Sequence, residues 1–445
     1  MRHSAESSAT SGDPRLLLAA NPMRTLQIVV VAITSALLAL DGFDVLSISF
    51  ASPGIAKEWG IDRAALGIVL SMELLGMSIG SIFLGGVADR LGRRPTTLGC
   101  LLLMTLGMFM VSRVHDLVEL SLWRVFTGVG IGGILSATNA VSTEFASARR
   151  RDLCVTLMAV GYPLGAVAGG MVAAHLLRVS EWRAVFEFGA AATAAMLPIV
   201  YGLMPESPVW LCQRQPAGAL GRVNRTLGRL GYAPITALPA PALPSQRVPL
   251  LAIFKPGMAL ATVLATATFC LHVTTFYFIL KWVPKIVVDM GFPAASAAGV
   301  LVWANVGGAC GGIVLGLLSM RYRIKPLTML MLVASTVMVA IFGRGQPDLR
   351  GLSVICAITG FCTNGGVVGL YAVLARTFPA AVRATGTGFA IGVGRGGAMV
   401  APIIAGLLFR AGFSLQYVAI AMGTGSLVAA GCLAFLTLRA DEAHH

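Results

Sequence analysis

Residues 26–51 read LQIVVVAITSALLALDGFDVLSISFA. The run is long enough to cross a bilayer as one helix. It carries two carboxylates, Asp41 and Asp44. A carboxylate at membrane depth is expensive and by default marks a functional site. Three residues apart, the two lie on one helix face, where like charges so close favour holding a proton. Gly42 between them thins the helix and admits a close neighbour. The bland alternative is a wet outer vestibule without proton chemistry. A proton or substrate station on a transport path accounts better for the expense.

Outward from this run, similar stretches recur along the whole chain. Of 445 residues, 56% are hydrophobic and 12% charged, where a soluble protein carries about a quarter charged. Mean hydropathy is +0.82. Twelve spans are predicted, over 26–51, 64–88, 95–113, 117–145, 153–177, 183–204, 256–283, 294–319, 326–343, 350–378, 384–409 and 413–438. This is the pattern of an all-α polytopic membrane protein, and 52 glycines suit its tight helix packing. No cleavable signal is expected, since residues 1–24 are polar and small and 16–20 are too short for an apolar core. Net charge +14 would suggest nucleic acid in a soluble chain, but here the distribution matters more than the sum, and the partner expected is the lipid bilayer. The termini and the loops on their side hold 21 of the 33 Lys and Arg, the opposite loops hold 10, and Arg124 and Arg395 fall within spans. By the positive-inside rule both termini are cytoplasmic. Eight cysteines show neither CxxC nor metal spacing, so disulfides, a metal site and a cofactor are not expected. No nucleophile–base cluster argues for an enzyme.

Residues 205–255 read as a cytoplasmic linker with one short basic surface helix (Arg214, Arg222, Arg225, Arg229) and a flexible Pro/Ala-rich tail at 237–244. It separates six spans in 1–204 from six in 256–445. The halves repeat. At an offset of 231, Pro53, Gly60, Gly76, Gly80, Gly85, Arg90 and Pro95 fall on Pro284, Gly291, Gly307, Gly311, Gly316, Arg321 and Pro326. At 233, Gly132-Gly133, Phe145, Arg150 and Gly161 fall on Gly365-Gly366, Phe378, Arg383 and Gly394. Parallel six-helix repeats place a binding site between the halves, worked by rocking.

Between spans 2 and 3 lies Gly85-Gly86-Val87-Ala88-Asp89-Arg90-Leu91-Gly92-Arg93-Arg94-Pro95. Its glycines suit a tight turn, and Asp89 can pair with a base or a helix N-terminus. With this motif the chain resembles the major facilitator superfamily over all twelve spans. The resemblance implies that the loop holds the cytoplasmic gate shut in the outward-facing state, through Asp89, Arg90 and Arg94, with Gly85, Gly92 and Arg93 in the same motif. The second-half copy has Met320 in place of Asp89, which predicts a weaker latch. Glu144, ahead of Arg149-Arg150-Arg151, reads as a gate partner rather than a proton site.

Arg124 and Arg395 must face protein or a cavity, paired to a carboxylate or an anion. Arg124 could instead serve backbone carbonyls. Arg395 lies about a dozen residues into span 11, on a helix striped with Gly388, Gly392 and Gly396. Asp-Gly-Phe-Asp in span 1, with Arg383-Ala384-Thr385-Gly386 and Gly394-Arg395-Gly396-Gly397-Ala398 in span 11, resembles the aromatic acid:proton symporter branch. That resemblance implies import of benzoate-type carboxylates with protons across the bacterial inner membrane, with protons as the coupling ion. Asp41 and Asp44 would carry protons, and Arg395 or Arg124 would hold the substrate carboxylate. Tyr277, Trp303, Asn305 and Asn364, with His272 and Tyr371, are polar or aromatic groups that could meet an aromatic anion, or could simply be core. Glu73 reads equally as a further proton site or as vestibule lining. The runner-up is a proton-coupled porter of sugars or another metabolite, disfavoured by two arginines in the spans. A monomer is expected.

Overall fold

The computed structural model describes residues 13–241, 250–379 and 382–436. Twelve of its helical stretches are long and apolar enough to cross a membrane. They are α1 (Thr25–Trp59), α2 (Arg63–Leu91), α3 (Arg93–Val111), α4 (Leu117–Phe145), α5 (Arg151–Val179) and α6 (Arg183–Leu203) in the first half. The second half holds α7 (Ala259–Asp289), α8 (Ala294–Ser319), α9 (Ile324–Phe342), α10 (Leu349–Thr377), α11a (Arg383–Gly394) with α11b (Gly396–Arg410), and α12 (Leu415–Phe435). Helix starts follow local chemistry. Asp62, Asp116 and Asp348 each accept a backbone N–H in the first turn of α2, α4 and α10, at 2.7, 2.8 and 2.6 Å.

Several boundaries differ from the sequence expectation. α1 and α7 continue past 51 and 283 as polar-ended helices, each with a proline inside (Pro53, Pro284). Hydropathy marks only the apolar part of a helix. Span 11 is interrupted at Arg395, where Ala398 N–H bonds back to Arg395 O at 2.9 Å. Glycines 394, 396 and 397 around it hold a helix weakly. The linker has, among its described residues, two short α-helices rather than one, Pro208–Arg214 and Ala219–Arg229, and a 3-10 helix at Leu250–Phe254, while residues 242–249 lie outside the described residues. Residues Pro14–Ala20 form a further helix, capped by Asp13, whose side chain is also paired with Arg15 at 2.7 Å.

Within each half the glycine register does one job twice. A Cβ on Gly76 or Gly80 would lie 2.1 Å from the carbonyl oxygens of Val125 and Val129 on α4, and one on Gly307 or Gly311 would lie 1.8 and 2.1 Å from those of Ala357 and Phe361 on α10. So α2–α4 and α8–α10 touch backbone to backbone.

The halves meet through α2 against α11b, α5 against α8, and α1 against α7. All these contacts favour the side bearing the α1–α2 and α7–α8 loops, called the far side below. There a Cβ on Gly67 would lie 2.4 Å from Pro402 O, Arg63 pairs with Asp289 at 3.0 Å, and Arg410 with Asp62 at 3.4 Å. On the side bearing the termini, α11a packs mainly on α7 and α10 of its own half, and among the described residues no ion pair joins the halves. The molecule is closed on the far side and parted toward the termini.

Candidate functional site

α1 sets the centre of the site. Gly42 lets α5 approach so closely that a Cβ there would lie 2.1 Å from Tyr162 O, which fixes the rotation of α1. Asp41 and Asp44 are thereby turned inward and buried. Both side-chain oxygens of Asp44, and Oδ1 of Asp41, have no hydrogen-bond partner among the described residues. Asp44 faces α6, where a Cβ on Gly189 would lie 3.4 Å from its Oδ1. Buried carboxylates without donors are costly as anions, so this environment suits groups that take up a proton.

Beside them lies a fully buried polar triad. Glu73 of α2 pairs through Oε1 with Arg124 of α4 and through Oε2 with Lys281 of α7, the latter at 3.3 Å. Arg124 also donates to the Asp44 carbonyl at 3.1 Å and lies 5.5 Å from the Phe186 ring centroid. Lys281 also donates to the Val45 carbonyl. Arg124 therefore takes Glu73 as its carboxylate partner rather than the pair on α1, and Glu73 lies in the protein core rather than lining a vestibule.

Arg395 is different. It sits half-buried at the break between α11a and α11b, and among the described residues nothing takes up its guanidinium. It interacts through space with Asp41 across the gap between the halves and with Tyr277 of its own half. Tyr162 and Tyr371, both partly exposed, belong to the same electrostatic neighbourhood. The parted region thus presents one uncommitted cation, a buried carboxylate and three phenol rings.

The remaining sequence candidates belong to the second half, and three of them bond within it. Asn305 donates to Leu301 O within its own helix at 2.9 Å, and Asn364 donates to Gly308 O at 2.7 Å, tying α10 to α8. Trp303 is 52% exposed, on the stripe of α8 that carries Cys310, Val314 and Leu317. His272, in the repeat position of Asp41, is buried between Ser426 Oγ and Thr363 O, both at 2.8 Å. No His, Cys, Asp and Glu group among the described residues could hold a metal.

The motif between α2 and α3 forms a compact network on the terminal side. Arg93 is its hub, bonded to Asp89 at 2.7 Å and to Glu144 at 2.9 Å. Glu206 accepts the backbone N–H groups of Arg93 and Ser207, both at 2.9 Å. Burial nevertheless holds its carboxyl above the ordinary value. Gly92 has φ +115°, and a Cβ there would lie 2.3 Å from Glu206 Oε2, so only glycine fits. Arg94 lies over the Tyr201 ring and donates to its carbonyl, while Trp210 and Arg214 donate to Asp89 O. Gly85 lies near Ser136 of α4, and Arg90 is exposed. In the second half, Lys325 caps the end of α12 through Ala434 O and Leu436 O, and among the described residues no acid pairs with Arg321 or Arg323.

The sequence reading missed three of these groups. Lys281 falls inside the span expected over 256–283, yet only Arg124 and Arg395 are singled out as span cations, although residues 276–280 before it and Trp282-Val283 after it are apolar. Glu206 and Tyr162 carried no local signal, because their roles come from contacts with distant helices.

Comparison with known proteins gives a consistent picture. The profile described as Major Facilitator Superfamily matches residues 34–356. The chain is 27% identical over 410 residues to the gallate transporter of Pseudomonas putida, covering 92% of this chain and 91% of that one. It is 29% identical over 394 residues to the 3-(3-hydroxy-phenyl)propionate transporter of Escherichia coli (strain K12), covering 88% and 89%. The inward open structure of the xylose transporter XylE from E. coli superposes with TM-score 0.73 at 16% identity, covering 94% of this chain and 98% of that chain. At that identity the likeness is one of fold.

Proposed function

The chain belongs to the Major Facilitator Superfamily, and from that premise we propose that it imports small aromatic carboxylates together with protons by alternating access. The relatives named for gallate and for a hydroxyphenylpropionate transport favour an aromatic acid over a sugar. The terminal side is then cytoplasmic, the membrane is the bacterial inner membrane, and the described state is the inward-facing one. The unit is a monomer with no cofactor beyond the coupling proton.

The observation that carries the reading is the unequal state of the two span arginines. Arg124 is committed to Glu73 and to the Asp44 carbonyl, whereas Arg395 faces the parted region and nothing among the described residues takes up its guanidinium. A planar guanidinium grips a carboxylate through two parallel hydrogen bonds, and Tyr162, Tyr277 and Tyr371 offer ring faces and hydroxyls to the aromatic end. Asp41, which interacts with Arg395 through space, exchanges the proton, with Asp44 buried beside it. Charge explains the need. A monoanion entering alone opposes an inside-negative potential worth about 2.3 kcal/mol per charge per 100 mV, one proton makes the cycle electroneutral, and a second drives it. On the cytoplasmic face, the Asp89–Arg93–Glu144 network holds its gate closed when the far side opens.

Uptake of labelled 4-hydroxybenzoate into proteoliposomes tests the reading. Accumulation should require an inward proton gradient and should be competed by other benzoates but not by xylose. Gradient-independent equilibration, or competition by sugars alone, would overturn it.

A further inference from the structure

We propose that Lys281 is the positioning residue that closes the far side, by tying the second half to the carboxylate layer of the first. The inference rests on alternating access as proposed above, but not on the identity of the substrate.

Three ion pairs join the halves among the described residues, and they differ in depth. Arg63–Asp289 and Arg410–Asp62 are at the surface, with side chains between 29% and 66% exposed. Water and salt leave such pairs little hold. Lys281–Glu73 is fully buried, so it is shielded from both. Lys281 reaches across from α7 to two first-half groups, Glu73 on α2 and the Val45 carbonyl on α1. Val45 directly follows Asp44, whose own carbonyl is held by Arg124. One ammonium therefore fastens α7 to the stretch of α1 that carries the carboxylates.

The other partners of this layer stay together when the halves rock. Glu73 and Arg124 are both in the first half, so their pair survives any rigid-body motion, and Glu73 keeps a counter-ion in either state. Lys281 is the member that must part. As α7 swings away it enters a widening, hydrated mouth, where water replaces Glu73 and Val45. A charge that trades a buried carboxylate for water makes a reversible fastener, which an apolar contact of the same size does not. Neighbouring surfaces are already shaped for such parting. Gly67 and Gly406 let α2 and α11b meet at backbone distance on either side of the seam.

The test reads the far side directly. A cysteine placed at Ala405, buried in α11b, is labelled with an impermeant maleimide on intact cells, against the labelling of the parent chain. In Lys281→Met the far side should open more often and labelling should accelerate by about tenfold or more, the scale of one lost charged hydrogen bond. Lys281→Arg should label at the parent rate. Adding Glu73→Gln to Lys281→Met should change little further, since Glu73 has by then lost its only second-half partner among the described residues. A rate unchanged in Lys281→Met would overturn the assignment. Should that variant fail to reach the membrane, Lys281→Gln, which also removes the ammonium, decides: unchanged labelling there overturns it equally. Because no substrate is involved, failure of aromatic-acid uptake would leave this result standing, and the reverse.

Discussion

Replacing Arg395 by lysine separates a cation that meets the substrate from one that only balances charge. Lysine keeps the charge but loses the fork, so one of two parallel charged hydrogen bonds disappears. Such a bond is worth about 1.5–3 kcal/mol, which at about 1.4 kcal/mol per decade predicts a roughly 10- to 100-fold rise in Kd. The structure makes this a clean subtraction. No protein group among the described residues relies on the Arg395 guanidinium, so shortening it orphans nothing and the loss falls on the ligand alone. Arg124→Lys is the contrasting case. Its guanidinium serves Glu73 and the Asp44 carbonyl at once, and a lysine there strands a buried acceptor, so transport rate should fall more than affinity. Equilibrium binding of labelled 4-hydroxybenzoate to the purified protein measures both. Binding within twofold of the parent for Arg395→Lys, with weakened binding for Arg124→Lys, would refute the assignment and move the carboxylate site to α4.

Three further outcomes are expected. Asp41→Asn and Asp44→Asn should each abolish gradient-driven accumulation while at least one retains substrate exchange, and concentrative uptake in both would remove the pair from coupling. Asp89→Asn should slow transport with substrate affinity little changed, because the Asp89 side chain is 58% exposed and its bond to Arg93 is a rim contact. Labelling of cysteines on the cytoplasmic side of the cavity should rise, and an unchanged pattern would leave the motif no gating role. Gly92→Ala should lower the Tm in detergent, since a Cβ at φ +115° would meet Glu206 and strain of this kind costs about 1–3 kcal/mol. Gly86→Ala, where a Cβ meets nothing within 4 Å, should leave the Tm in place.

Much of this is legible in the sequence. Span 1, its carboxylates and the motif around Asp89 declare themselves because each is a local violation of bilayer physics or a local turn requirement. The pairing of charges was not legible, because it depends on how helices rotate against one another. Arg124 and Glu73 are 51 residues apart, and Lys281 and Glu73 are 208 apart. Nothing local in span 7 distinguishes a lysine bound for a distant carboxylate from one snorkelling to the surface. Glu206 shows the same limit from the other side: it stands in a segment that reads only as the start of a linker, whereas its work is done on the backbone of Arg93.

The backbone contacts at Gly76 and Gly80, matched at Gly307 and Gly311, bear on how two copies of one ancestral segment drift apart. A meeting of main chains constrains the absence of a side chain and nothing else, so it can outlast the replacement of almost every other residue. In the same duplicated frame Asp41 became a buried acid and His272 a bridge between helices, and the acid–base hub of one copy has no counterpart among the described residues of the other. Chemistry was free to diverge where side chains point into space, while architecture was held where none can exist. That division makes the spacing of small residues a longer-lived record of the duplication than the charged residues around them.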